Sequence, residues 1–295
     1  MTPNALQLSA LSRLFSSSVF REMAKKGRSS LFARLIGQTG IEAGWTDSET
    51  VGDAFDRAFS VLRRSGLRDE YVYRAALIHN ILLGTHSLNT ACLLTEFRAG
   101  ACKADLAILN GTATVYEIKS ERDSLTRLAN QVANYKKVFA KVYVIAGESH
   151  VRGVLADTPA DVGVMCLSRR YSISTVREAL DRPDRVCPET TFESLRSAEA
   201  RAILRDLKIT VPDVPNTMLH AALRACFTRL KPEDVHRSMV KILKRSRDLA
   251  PLGKFVDQLP SSLQPAALSI QVRRGDHDRL IGAVRTPLGV ALAWA

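Results

Sequence analysis

Residues 103–119, Lys-Ala-Asp-Leu-Ala-Ile-Leu-Asn-Gly-Thr-Ala-Thr-Val-Tyr-Glu-Ile-Lys, constrain this chain more tightly than any other stretch. Apolar and β-branched residues flank Asn110-Gly111, a pair whose easy access to positive φ makes it a strong hairpin signal. The pattern predicts one strand carrying Asp105 and a second carrying Glu117 and Lys119. Side chains alternate across a strand, so Glu117 and Lys119 share one face and Ile118 takes the other. Register then decides the chemistry. A two-residue turn sets Asp105 opposite Tyr116 and sends Glu117 to the far face. A three-residue connection, or a bulge with Gly111 at positive φ, returns Asp105 and Glu117 to one face. Two carboxylates so placed can hold one hard divalent cation, and the Lys119 ammonium can hold a water or a phosphate beside it.

In a chain that is 24% charged, an Asp followed by Glu-x-Lys also arises as ordinary surface charge on a solvated hairpin. The neighbours argue against that reading. Leu106-Ala107-Ile108-Leu109 follows Asp105 and Val115-Tyr116 precedes Glu117, so the charges sit at the edge of a buried sheet. Carboxylates and lysines there are costly unless paired or bound to metal.

Asp105, Glu117-Ile118-Lys119 and then Gln131-Val132-Ala133-Asn134-Tyr135 on the following helix resemble the PD-(D/E)XK nuclease superfamily, with the Gln-x-x-x-Tyr element of its RecB-like branch. More narrowly, Ala104-Asp105-Leu106-Ala107, Glu117-Ile118-Lys119-Ser120 with Asp123, Leu125, Gln131, Tyr135 and Phe139, then Val142 to Gly147 and His150, resemble a family of small, largely uncharacterised bacterial proteins assigned to that superfamily. The resemblance covers roughly residues 68–170. Ala104 stands where a proline completes the namesake motif. The resemblance implies that Asp105, Glu117 and the Ile118 carbonyl ligate Mg²⁺ or Mn²⁺, that Lys119 positions the attacking water, and that Gln131 and Tyr135 support the lysine or the phosphate. The last two lie four apart on one helix face, although a helix packed by Tyr135 with a solvated Gln131 has the same spacing. Glu96, closing the apolar run Ala91 to Thr95, is the preferred accessory ligand. Glu70 opens the preceding helix, where the helix dipole already accounts for an acid.

The formal charge of +12 suits a polyanionic substrate. Cys92, Cys102, Cys166, Cys187 and Cys226 are odd in number and scattered, which points to reduced thiols in a cytoplasm and excludes a C-x-x-C zinc module. No apolar run approaches a membrane span. The basic, acid-poor opening to Leu35 has the composition of a transit peptide. Leu11, Leu14, Phe15 and Val19, then Phe32, Leu35 and Ile36, recur at helical spacing, so a basic amphipathic helix pair is the preferred reading.

The pattern divides the chain into a basic helical segment (1–46), a nuclease-like α/β core with a mixed sheet flanked by helices (47–170), and a predominantly helical basic region (171–295). In the core, helix runs from Asp47 to about Gly84 with a break at Ser65-Gly66. Strands follow at 91–97, 103–109 and 113–119, then a helix at 124–139, a strand at 141–146, a helix holding His150, Val154 and Leu155, and a strand at 162–167. No strand pattern is expected beyond Arg169. From Arg201 to Arg247 eleven Lys or Arg face four Asp or Glu, and Lys241, Lys244, Arg245 and Arg247 end the run. Such a run is often a solvated helix face, but beside a nuclease core it can follow phosphates. His150 is expected to open a helix capped by Ser149 and to be a satisfied surface imidazole, and no G-x-S-x-G elbow appears.

Together these features predict a Mg²⁺- or Mn²⁺-dependent nuclease acting on nucleic acid, DNA before RNA, in bacterial or phage repair or defence, with room for a protein partner. The rival is a degenerate nuclease fold that binds nucleic acid or a partner without cutting. A helical adaptor is the third reading.

Overall fold

The computed structural model describes residues 3–41, 46 and 48–294. The boundary expected between residues 46 and 47 falls beside residues 42–45 and 47, which lie outside the described residues. In chain order the elements are α1 (Ala5–Leu14), α2 (Ser17–Lys26), α3 (Ser30–Thr39), α4 (Val51–Leu62) and α5 (Glu70–Leu77), followed by a π-helical turn at Ile78–Leu83. Then come β1 (Cys92–Ala99), β2 (Cys102–Asn110), β3 (Thr112–Lys119), α6 (Leu128–Tyr135), β4 (Lys141–Gly147), α7 (Glu148–Asp157), β5 (Gly163–Leu167) and β6 (Ile173–Arg177). The remaining helices are α8 (Pro188–Ser194), α9 (Ser197–Asp206), α10 (Asn216–Phe227), α11 (Pro232–Ser246), α12 (Gly253–Val256), α13 (Gln264–Ser269), α14 (His277–Arg285) and α15 (Leu288–Leu292).

Packing groups residues 1–79 with 251–295 as one unit and residues 80–250 as another. This differs from the expected division, because both 47–170 and 171–295 are shared between the two units. The first unit is helical. The expected apolar residues Leu11, Leu14, Val19, Phe32, Leu35, Val51, Phe55 and Leu62 are all buried in it. Phe15 stacks on Tyr71 with centroids 4.6 Å apart and meets Phe55 edge-on at 5.5 Å.

The second unit is built on a six-stranded mixed sheet in the order β1-β2-β3-β4-β5-β6. The first three strands form an antiparallel meander; β3, β4 and β5 run parallel, and β6 returns antiparallel. A parallel neighbour demands a crossover connection, and the segment bearing α6 supplies it between β3 and β4. The Val, Ile, Thr and Tyr of β3 and β4 suit a pleated surface buried on both faces. β6 was not expected: Ser174 and Thr175 are polar and exposed, as edge positions permit, and the short strand lacks the apolar alternation that marks the others. One face of the sheet, through Leu94, Ala107, Leu109, Val115, Val142 and Val144, packs into a single core with α6 and with α8 to α11. Residues 188–246 are thus part of the sheet unit rather than an appended region. The 124–139 helix is shorter than expected: only Leu128–Tyr135 is α-helical, with turns on either side.

Candidate metal and phosphate site

The β2–β3 register meets the condition set by the sequence. Asn110 pairs with Thr112 and Leu106 with Tyr116, so the connection is the three-residue one. Gly111 has φ +75, a left-handed conformation that a side chain would strain. Continuing that register by one residue sets Asp105 opposite Glu117. On the other side Thr95 pairs with Leu106 and Phe97 with Ala104, which sets Glu96 opposite Asp105. Three acids on three adjacent strands therefore form one row, Glu96, Asp105 and Glu117, and a carboxylate oxygen of Glu96 lies within 4.8 Å of one of Asp105.

The ladders break along this row. Asp105 Oδ2 accepts the Ile118 N–H at 2.8 Å, so a carboxylate takes the place of a backbone acceptor. The N–H and C=O of one strand residue point toward the same neighbour, so the Ile118 carbonyl also faces the Asp105 strand. Glu96 has φ +51, which is strained for a residue with a Cβ.

Glu117 is 1% exposed and Lys119 4%. Glu117 Oε1 lies 2.9 Å from Lys119 Nζ, which also donates to Gln131 Oε1 at 2.8 Å. The Tyr135 hydroxyl is 2.6 Å from Glu117 Oε2 and 2.8 Å from the Lys103 carbonyl oxygen, two acceptors for one proton. Burial raises the Tyr135 pKa, and the nearby negative charges of Glu117 and Asp105 raise it further, so the phenol stays protonated as a donor. α6 places both partners: Leu128, Val132 and Tyr135 are buried against the sheet, and Gln131 shares the Tyr135 face. Exposure rises along the row. The Glu96 side chain is 59% exposed and pairs at 3.9 Å with Lys103, itself 70% exposed.

The loop after β3 is tied down. Asp123 Oδ2 accepts the Ser120 N–H at 2.8 Å, and His150 Nε2 lies 3.0 Å from the Asp123 carbonyl oxygen. His150 therefore serves this loop; Gly147, not Ser149, caps its helix, which corrects the expected Ser149 cap. Glu70 is at the first position of α5 and pairs with Arg74 one turn on.

The basic residues at the end of α11 and just after it are not equivalent. Arg247 binds both carboxylate oxygens of Glu199 at 2.9 and 3.0 Å and lies 5.2 Å over the Phe97 ring. Lys241 pairs with Asp206. Lys244 and Arg245 lie in the last turn, where cations complement the helix dipole. Sequence reasoning grouped the four because Glu199 and Asp206 are too far away along the chain to signal their pairing. It also passed over Arg127, directly before α6, and left Lys103 unassigned. The five cysteines are free, and burial pushes the Cys92 thiol up to about 12.

The donor set consists of hard oxygens on adjacent strands with an ammonium beside them, and it fits a cation of the Mg²⁺ type. Asp105, Glu117 and the Ile118 carbonyl would hold it, with Glu96 on the open side. No helix among the described residues is long and apolar enough to cross a membrane.

Protein cII of Enterobacteria phage P4 is 38% identical over 85 residues, which amounts to 29% of this chain and 31% of that relative. The chain thus aligns with about a third of the length of the curated relative it matches. A solved structure of a protein of unknown function from Silicibacter pomeroyi shares 19% identity, covers 46% of this chain and 90% of its own, and superposes with a TM-score of 0.31. The model of the family described as bacteriophage P4 protein cII matches residues 63–249, well over half of the sequence and nearly all of the sheet unit, and the chain belongs to that family.

Proposed function

We propose that the row on β1 to β3 is the active site of a metal-dependent nuclease that hydrolyses phosphodiester bonds, in DNA before RNA, as the PD-(D/E)XK resemblance implies. One observation carries this reading: Glu96, Asp105 and Glu117 stand in register across three strands, with Lys119 beside Glu117. Glu96 and Asp105, whose carboxylate oxygens come within 4.8 Å, repel each other without a cation between them. A bound Mg²⁺ or Mn²⁺ would polarise a phosphoryl oxygen and acidify a water. The residues do the rest. Lys119, held by Gln131 and Glu117, presents an ammonium to the water or the phosphate, and Tyr135 fixes the Glu117 carboxylate. Lys244 and Arg245 would add phosphate contacts, and the free thiols suit the cytoplasm. Repair or defence in a phage or its host is the setting proposed.

Purified protein with labelled single- and double-stranded DNA and RNA, assayed with Mg²⁺, with Mn²⁺ and with chelator, tests the reading. Cleavage that requires metal and falls at least ~100-fold in Asp105→Asn, Glu117→Gln and Lys119→Met is expected, by analogy with the loss of positioned electrostatic groups elsewhere. Equal activity in all three variants overturns it. One feature favours the rival, a nucleic-acid-binding or partner-binding fold that does not cut. Both Glu117 oxygens are engaged by Lys119 and Tyr135, a pairing that also serves a purely structural site. Metal-independent binding without cleavage under any condition selects it.

A further inference from the structure

We propose that a single nucleic-acid strand reaches this site across the turn end of the β1–β2 hairpin, with Lys103 and Arg127 as its phosphate grips. The inference rests on the nuclease reading and deepens it, because it names the side of approach and the strandedness of the substrate. The exposure gradient gives the direction. Glu117 and Lys119 are buried under α6, Asp105 is half-buried, and Glu96 with Lys103 is open to solvent. A phosphate can therefore arrive only from the Glu96 side. That side is framed by the hairpin end on one hand and α6 on the other.

The frame is a fixed one. Asn134 Oδ1 accepts the Ala101 N–H at 3.2 Å, and Asn130 Nδ2 lies 3.8 Å from Cys102 Sγ. The Tyr135 hydroxyl meets the Lys103 carbonyl. These contacts hold the hairpin end against α6, one turn from Arg127, which is exposed and makes no ion pair among the described residues. The Cys102 thiol senses both sides of the entrance: burial raises its pKa, the Glu117 charge raises it further, and the Arg127 charge opposes them. Lys103 and Arg127 are thus two exposed cations beside a site whose acidic floor, Glu117, is buried. A duplex is a stiff, convex cylinder and offers its phosphates only to surface groups. A single strand bends and can lower one phosphodiester to the floor while Lys103 and Arg127 hold its neighbours.

The test uses the full-length protein, Lys103→Ala, Arg127→Ala and the double variant, with Lys244→Ala/Arg245→Ala for comparison and urea midpoints to establish folding. The probes are a fluorescein-labelled single-stranded oligodeoxynucleotide and its blunt duplex, bound in Ca²⁺ and cleaved in Mg²⁺ or Mn²⁺. The parent should bind and cut the single strand in preference. The double variant should bind it at least about tenfold more weakly, with the salt slope reduced by roughly 0.7 for each lost contact. The loss should fall on KM more than on kcat. Preference for the duplex, no binding of either probe, or unchanged affinity and slope in the double variant overturns the inference, even where Asp105→Asn abolishes cleavage and the nuclease reading stands. A parent that never cuts, yet loses single-strand binding in the double variant, sinks the nuclease reading and keeps the inference.

Discussion

Two buried carboxylates of the sheet unit make an instructive pair. Glu199, 4% exposed, accepts from Arg247 at both oxygens, from the Arg196 N–H at 2.9 Å and from the Ser246 hydroxyl at 3.2 Å. Burial raises its pKa, but the Arg247 hydrogen bonds and charge and the Arg196 N–H prevail, and the carboxyl is held below its usual range. Glu117 is as deeply buried, yet it has one ammonium, one phenol and an acid on the neighbouring strand. A carboxylate can accept about four hydrogen bonds. Glu199 has filled its set with groups that cancel its charge, whereas Glu117 has one ammonium to do so and stands in a row with two further acids. The first arrangement is a closed structural device, and the second makes sense around a cation.

The largest test of this contrast is stability. Glu199→Ala leaves the Arg247 guanidinium half-buried without its partner and should destabilise the protein by about 3 kcal/mol or more. Glu117→Gln preserves shape and acceptor and removes one like charge from the row, but it leaves the buried Lys119 ammonium without its counter-ion, so its loss should be smaller than that of Glu199→Ala rather than negligible. Urea unfolding at pH 7 measures both. Near-equal losses would mean that Glu117 is as structural as Glu199. Because the folded pKa of Glu199 is lowered, its contribution is present above the unfolded value of 4.5 and is lost as pH falls through the folded one. The acid limb of the parent should accordingly flatten in Glu199→Gln.

The contrast also explains what could be read from the sequence. Asp105, Glu117, Lys119, Gln131 and Tyr135 lie within one hairpin and the helix that follows, so local periodicity and turn chemistry brought them together. The strands of β1 to β5 were legible for the same reason. The Glu199–Arg247 pair, the β6 strand and the return of residues 251–295 to the first unit depend on contacts between residues distant in the chain, which no local period encodes. Glu96 was legible as an acid closing an apolar run, but its left-handed backbone was not. Only its place opposite Asp105 gives that strain a meaning.

A middle-sized effect concerns His236 on α11, which joins the helix to the sheet. Its Nε2 accepts the Ala113 N–H at 3.1 Å, so the ring must be neutral with its proton on Nδ1. Burial lowers its pKa, and Asp181, held by Thr112, only partly opposes this. For a group whose folded pKa is depressed, the unfolded chain takes up protons first, so stability is full above the unfolded value of 6.5 and falls as pH drops below it. His236→Gln should lower stability at pH 7.5 by about 1 kcal/mol, roughly one hydrogen bond, and should weaken the decline between pH 6.5 and 5. An unaltered pH profile in the variant would assign that decline to other groups, half-buried His79 in the first unit foremost.

The smallest expected effect is the sharpest test of whether the acidic row is functional. Glu96 holds φ +51, a conformation that glycine adopts freely and that costs a residue with a Cβ about 1 kcal/mol. Glu96→Ala keeps the strain and removes the carboxylate; Glu96→Gly removes both, although glycine gives back part of the gain through its greater freedom when unfolded. Glu96→Gly should therefore be more stable than Glu96→Ala by several tenths of a kcal/mol, and no less stable than the parent. Both variants should bind Mn²⁺ more weakly by calorimetry, and by the same factor, because the lost ligand is common to them. A position where the natural residue is the less stable choice and the better ligand is one that function has shaped. Were Glu96→Gly clearly less stable than the parent with Mn²⁺ affinity unchanged, the strained glutamate would belong to the fold alone, and the row would shrink to Asp105 and Glu117.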